Sequence, residues 1–138
     1  MPLSIEFLSG GRGLELVGSG VLTAQEILEA KGALLRSPER LRELHHALID
    51  ITDVTELRVT HDDVLEFVTA DMQIALIVPR PMAVAVVAPG DLAFGVARMW
   101  EGFAEVTRWN RHVFRSRPEA ELWLRPRVEG RLPAGPHP

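Results

Sequence analysis

Leu3, Ile5 and Phe7 alternate with Ser4 and Glu6, a glycine-rich Ser9–Gly13 follows, and Leu14-Glu15-Leu16-Val17 resumes the apolar run. Period-two alternation on both sides of a glycine turn predicts a β-hairpin. The glycine cluster lacks the Lys-Ser/Thr of a phosphate-binding loop and precedes a strand, so it reads as a turn. After Gly18–Leu22 the period changes. Ile27, Ala30, Leu34 and Leu35 follow helical spacing from Thr23 to about Arg36. Ser37-Pro38-Glu39 then restarts a short helix over Arg40–Leu44, with proline where a missing N–H costs nothing.

Two later runs lack alternation, one mostly apolar and one wholly so. His46–Ile51 and Ala83–Ala88 are short and bounded by turn residues, as strands buried on both faces should be. Between them, Thr52–Val59 reads as a connection and Thr60 opens a helix. Its buried stripe is expected from Val64, Phe67, Val68, Met72, Ala75 and Leu76, ending at Pro79 and Pro81. Leu92, Val96, Met99, Trp100, Phe103 and Val106 predict one apolar face of a helix from Asp91 to about Arg108. Arg111–Arg115 alternates charged and apolar residues, the pattern of an edge strand that resists aggregation. A last helix carries Ala120, Trp123 and Leu124, and from Pro126 the chain reads as a tail.

Helix starts are written explicitly. Thr23-x-x-Glu26, Thr60-x-x-Asp63 and Ser116-x-x-Glu119 place a hydroxyl three residues before a carboxylate, and Asp91 is expected to cap the helix after Pro89-Gly90. Val59 and Val64 flank the Thr60 cap at staple spacing. Strands alternating with helices imply a mostly parallel five-stranded sheet with an antiparallel N-terminal hairpin and four main helices, an α/β fold. The expected organisation is one domain over 1–125 with a flexible tail over 126–138.

Composition narrows the function. The 138 residues include no cysteine, which excludes disulfides, thiolate metal sites and thiol nucleophiles. The net charge of −4, with acids and arginines interspersed, provides no basic stripe for nucleic acid or an anionic membrane. No apolar run approaches the ~20 residues of a membrane span, and the N-terminus has no basic, apolar leader, so the expected location is cytoplasmic. Lys31 is the single lysine, a bias that reads as coding composition.

Catalytic chemistry is present only in fragments. His45 and His46 cannot share one strand face, and His61-Asp62-Asp63 sits in a helix first turn, where the macrodipole favours carboxylates without a metal. No nucleophile stands beside a base, so neither an enzyme nor a cofactor or metal is expected. Asp50, ending a buried strand, needs partners; the expected ones are loop amides of Asp53–Thr55. In an open parallel sheet a ligand crevice lies at the strands' carboxyl ends, here Asp50–Thr55, Pro89–Phe94 and Arg115–Arg117. The candidate ligand or partner residues are therefore Asp50, Asp53, Thr60, Asp91, Phe94, Arg98 and Arg115. Phe94 and Trp100 are candidates to line an apolar slot. The alternative is that Trp100 is core and Arg98 pairs with Glu101 or Glu105.

Gly20-Val-Leu-Thr23, Leu48-Ile-Asp-Ile51 with Asp53–Leu57, Val84–Pro89 followed by Phe94–Trp100, and Val113-Phe-Arg115 with Glu119-Ala120 and Trp123-Leu124 carry a family resemblance. Together they resemble the small bacterial SpoIIAA-like proteins of the STAS/CRAL-TRIO group, over almost the whole chain to about Leu124. The resemblance implies a strand–helix superhelical domain related to anti-sigma-factor antagonists and to lipid-transfer domains. The antagonists carry Asp-Ser-Ser/Thr-Gly at the helix entry, where this chain has Arg58-Val59-Thr60-His61; Thr60 therefore reads as a cap and not a phosphorylation switch. Two functions follow as expectations. One is a non-catalytic regulatory or scaffold domain acting through a protein partner and a homodimer, given that 46% of residues are apolar and all three tryptophans are assigned to the last two helices. The other is a carrier or sensor of a small apolar or anionic, lipid-like ligand, which requires an enclosed pocket of at least about 300 Å³ near Phe94 and Trp100.

Overall fold

The alternating Leu3–Leu8 (β1) pairs antiparallel with Gly13–Thr23 (β2), forming the expected hairpin in the computed structural model, which describes residues 2–133. β2 then pairs parallel with β3 (His46–Arg58), β3 with β4 (Ala83–Val87) and β4 with β5 (Asn110–Phe114), so the five strands lie in sequence order. Parallel neighbours joined by right-handed crossovers put every connecting helix on one face. That face carries α1 (Ala24–Leu35), the short α2 (Pro38–Leu41), α3 (His61–Ile77) and α4 (Asp91–Phe103), with α3 packed between α1 and α4. The final helix, α5 (Arg117–Val128), covers the opposite face over β3, β4 and β5. The expected α/β sheet is thus present, with β4 interior to it.

Side-chain parity divides the core. Ala47, Ile49, Val84 and Val86 point to α1–α4, whereas Leu48, Ala83, Ala85 and Val87 meet Ala120 and Leu124 of α5. β4 is buried at every position, which is why its sequence has no alternation.

Several boundaries differ from the sequence reading. Thr52–Arg58 is not a connection but the second half of β3, paired with Ser19–Thr23 of β2. Two register shifts, next to Gly18 and at Gly20 with φ of 64°, interrupt the alternation that would have marked these strands. α4 ends at Phe103 and not near Arg108; a 3₁₀ turn over Ala104–Thr107 follows, and Arg108 reverses the chain at φ of 63°. Trp109 consequently lies outside both helices and is buried in the main core beside Ile74 and Met82. On α3, Met72 and Leu76 are exposed; the buried stripe is Val64, Phe67, Val68, Asp71 and Ile74. Leu92, Phe103 and Val106 are also exposed, so the inner face of α4 is narrower than expected. α5 continues through Pro126 to Val128, into the stretch read as tail; residues 134–138 of that stretch lie outside the described residues.

The caps at Thr23 and Thr60 form complete capping boxes, and Ser116 accepts from the Glu119 amide. Asp91 does not cap α4. Gly90 occupies the cap position without a side-chain bond, and Asp91 stands one residue inside.

A candidate cavity and two buried carboxylates

Asp50 sits on the α5 face of β3, where strand pairing aligns it with Val17 and Val87. Its Oδ1 accepts from the Thr52 amide at 2.9 Å and from the Thr52 hydroxyl. Its Oδ2 accepts from Arg117 Nη1 at 3.2 Å. The donors are therefore Thr52 and Arg117, and not the amides of Asp53–Thr55. Arg117 also bonds Glu15 on β2 and donates from Nε to Glu121 at 2.7 Å, one guanidinium joining three carboxylates. Burial alone would push the Asp50 carboxyl up; the Thr52 and Arg117 bonds outweigh it and hold the group below its ordinary value. The Arg117 guanidinium is correspondingly held above its ordinary value, chiefly by Glu121, against the opposing effect of burial. Each of the three carboxylates contacts the one guanidinium, which describes a structural clamp between β2, β3 and α5.

The other sequence-derived candidates separate into small groups. Arg115 Nη1 pairs with Asp91 Oδ1 at 2.6 Å, donates to the Pro89 carbonyl at 3.1 Å and lies 4.0 Å over the Phe94 ring. These three residues do meet at the carboxyl end of the sheet, with the guanidinium engaged by all three partners. Arg98 is exposed and pairs with Glu101 at 3.3 Å. Asp53 is exposed on β3, and Thr60 is exposed and acts as the α3 cap. His45 and His46 lie at the opposite end, their imidazoles held below the ordinary value first by burial and then by neighbouring cationic groups.

The feature absent from the sequence reading lies on the other face. Between the sheet and α1, α3 and α4 is an apolar cavity of about 160 Å³, floored by Leu14, Leu16, Ala47, Ile49, Val84 and Val86. Ile27 and Ala30, Val64 and Phe67, and Val96 and Trp100 contribute the helix side. Trp100 packs against the core and lines this cavity, whereas Phe94 does not, so the expected Phe94–Trp100 slot is not formed; the volume is about half of what a drug-sized ligand needs.

The polar groups on this wall are Lys31 and Asp71. Lys31 Nζ lies 2.6 Å from Asp71 Oδ1, and Trp100 Nε1 donates to Asp71 Oδ2 at 2.8 Å. Asp71 is 2% exposed, so both carboxylate oxygens are satisfied away from water. The signal was available: Lys31 falls in the Ile27–Ala30–Leu34 stripe, and Asp71 four residues after Phe67 in the stripe of α3. Among the described residues no group of three or more metal-ligating side chains occurs, and no helix is long and apolar enough to cross a membrane.

No known family model matches the chain, and no curated protein does. Among solved structures it is similar to an uncharacterised protein of the DUF3478 family from Shewanella loihica PV-4, described as having a SpoIIAA-like fold. That match has 26% identity and a TM-score of 0.51, and covers 88% of this chain and 91% of the other. Strand order, the single antiparallel hairpin and this likeness agree: the chain is built on a SpoIIAA-like fold.

Proposed function

We propose that the protein is a non-catalytic carrier or sensor that holds a small apolar ligand between its sheet and helices α1, α3 and α4. The observation that carries this reading is the cavity itself. Protein interiors pack to the density of organic crystals and leave few voids larger than a water. A partly open apolar cavity of about 160 Å³ walled by aliphatic and aromatic side chains departs from that rule. Apolar cavities of roughly 150 Å³ stay dry and accept benzene, so the matching ligand is ring-sized, not a long-chain lipid. The crevice at the strand ends supports an anionic ligand less well, because Arg115 and Arg98 already have acidic partners.

Titration of the full chain with cumene, followed by methyl NMR shifts of Val84, Val86 and Ala97, tests the reading. Saturable shifts confined to the cavity are expected, along with a raised Tm. Ala30→Leu, which fills the space from α1, should remove them. No shift in cumene-saturated buffer would refute the proposal.

A second reading, contact with a second copy or a regulatory partner, is favoured by one observation. Leu65, Met72 and Leu76 are exposed along α3 at helical spacing. Sedimentation that shows a monomer at tens of micromolar would decide against self-association.

A further inference from the structure

We propose that Lys31 is the polar anchor of the cavity and selects a neutral apolar ligand carrying one carbonyl oxygen. This rests on the ligand-holding reading and names the chemistry of the ligand.

Three side chains from three helices meet on the cavity wall: Lys31 of α1, Asp71 of α3 and Trp100 of α4. Each Asp71 oxygen already accepts one hydrogen bond, from the Lys31 ammonium at 2.6 Å and from the Trp100 indole at 2.8 Å, and the side chain is buried between them. The ammonium is different. It has three N–H donors, and among the described residues it donates one hydrogen bond, to Asp71. Its side chain is only 19% exposed, and it lies 5.9 Å from the centroid of the Phe67 ring, which also lines the cavity. Donor capacity is therefore left over beside an apolar space.

The sign of the site restricts what can use it. Lys31 and Asp71 form a neutral pair, so an anionic ligand would bring an unbalanced charge into a poorly solvated space. A cation would likewise be unbalanced and would face the Lys31 ammonium beside Asp71. A neutral acceptor adds only a dipole, directed at an ammonium that has hydrogens to give. A ketone or ester oxygen on a ring-sized apolar body meets both demands, the volume and the donor.

The test compares acetophenone with cumene, two molecules of nearly the same shape that differ in an oxygen for a methyl. Dissociation constants are measured on the full wild-type chain and on the double variant Lys31→Met/Asp71→Asn, in which both charges are removed together and the introduced amide can still accept from Trp100. The preference for acetophenone over cumene should be about tenfold or more greater in the wild type than in the double variant, the size of a hydrogen bond to a charged donor. An unchanged preference overturns the proposal. If the double variant does not fold, the carbonyl stretch of isotope-labelled acetophenone bound to the wild type decides: a shift to lower frequency than in hexane supports the anchor, and the hexane frequency overturns it. Cumene binding without a preference for acetophenone defeats only the anchor. Binding of neither defeats the anchor and the cavity reading together.

Discussion

Asp50 and Asp71 are buried carboxylates on opposite faces of one sheet, and they are satisfied in different ways. Asp50 takes two bonds from Thr52, two residues away, and a third from Arg117, which retains Glu15 and Glu121 as further partners. Asp71 has no local donor. Its two partners come from 40 and 29 residues away, and among the described residues neither the ammonium nor the indole N–H has another acceptor. The α5 face therefore has a redundant polar clamp beside the Leu48–Ala85–Val87–Leu124 cluster, whereas the α1–α4 face has a minimal polar cluster beside a cavity. Redundancy marks the structural site; the sparse cluster, with unspent donors at a cavity, is the one suited to a ligand.

The comparison breaks most sharply under truncation. Asp71→Ala strands a half-buried ammonium and an indole N–H at once, and should cost about 3 kcal/mol, the lower end for a split buried pair because Lys31 is partly exposed. Denaturant unfolding checks this, and a loss below that of Asp50→Ala would invert the ranking of the two faces. Asp50→Ala should cost about 1–3 kcal/mol, since the Thr52 amide and hydroxyl lose their acceptor while Arg117 keeps two carboxylates.

Acid sharpens the same contrast. The folded Asp50 carboxyl is held below its ordinary value, so its stabilisation is fully present above about pH 4 and is lost as pH falls through the lower, folded value. The stability gap between wild type and Asp50→Asn should stay level from pH 7 to pH 5 and shrink below pH 4. A gap that widens on acidification would mean that the carboxyl is protonated in the fold. Smaller effects are expected away from both sites. Thr60→Ala should cost about 1 kcal/mol and Thr60→Ser almost nothing, as for a cap. Phosphothreonine at 60 in protein isolated from its own cells would contradict that role. Arg98→Ala, which breaks an exposed pair with Glu101, should cost less than about 1 kcal/mol and leave ligand binding unchanged.

Local signals were readable wherever one residue and its near neighbours decide the structure. The boxes at Thr23 and Thr60, the Ser116 cap and the uninterrupted apolar run of β4 depend on contacts within a few residues, and the sequence alone determined them. The second half of β3 was hidden because its register against β2 shifts between Val54 and Glu56, opposite Gly20 and Val21, and because that pairing is non-local. Asp91 followed the cap pattern, yet the α4 boundary falls at Gly90 and Arg115, the residue after β5, engages its carboxylate. The exposure of Met72 and Leu76 follows from how α3 is rotated between α1 and α4, a rotation that turns Asp71 inward. Tertiary structure alone brought Lys31, Asp71 and Trp100 together and left the cavity beside them. A void is a property of how three helices fail to close on a sheet, and no single segment encodes it.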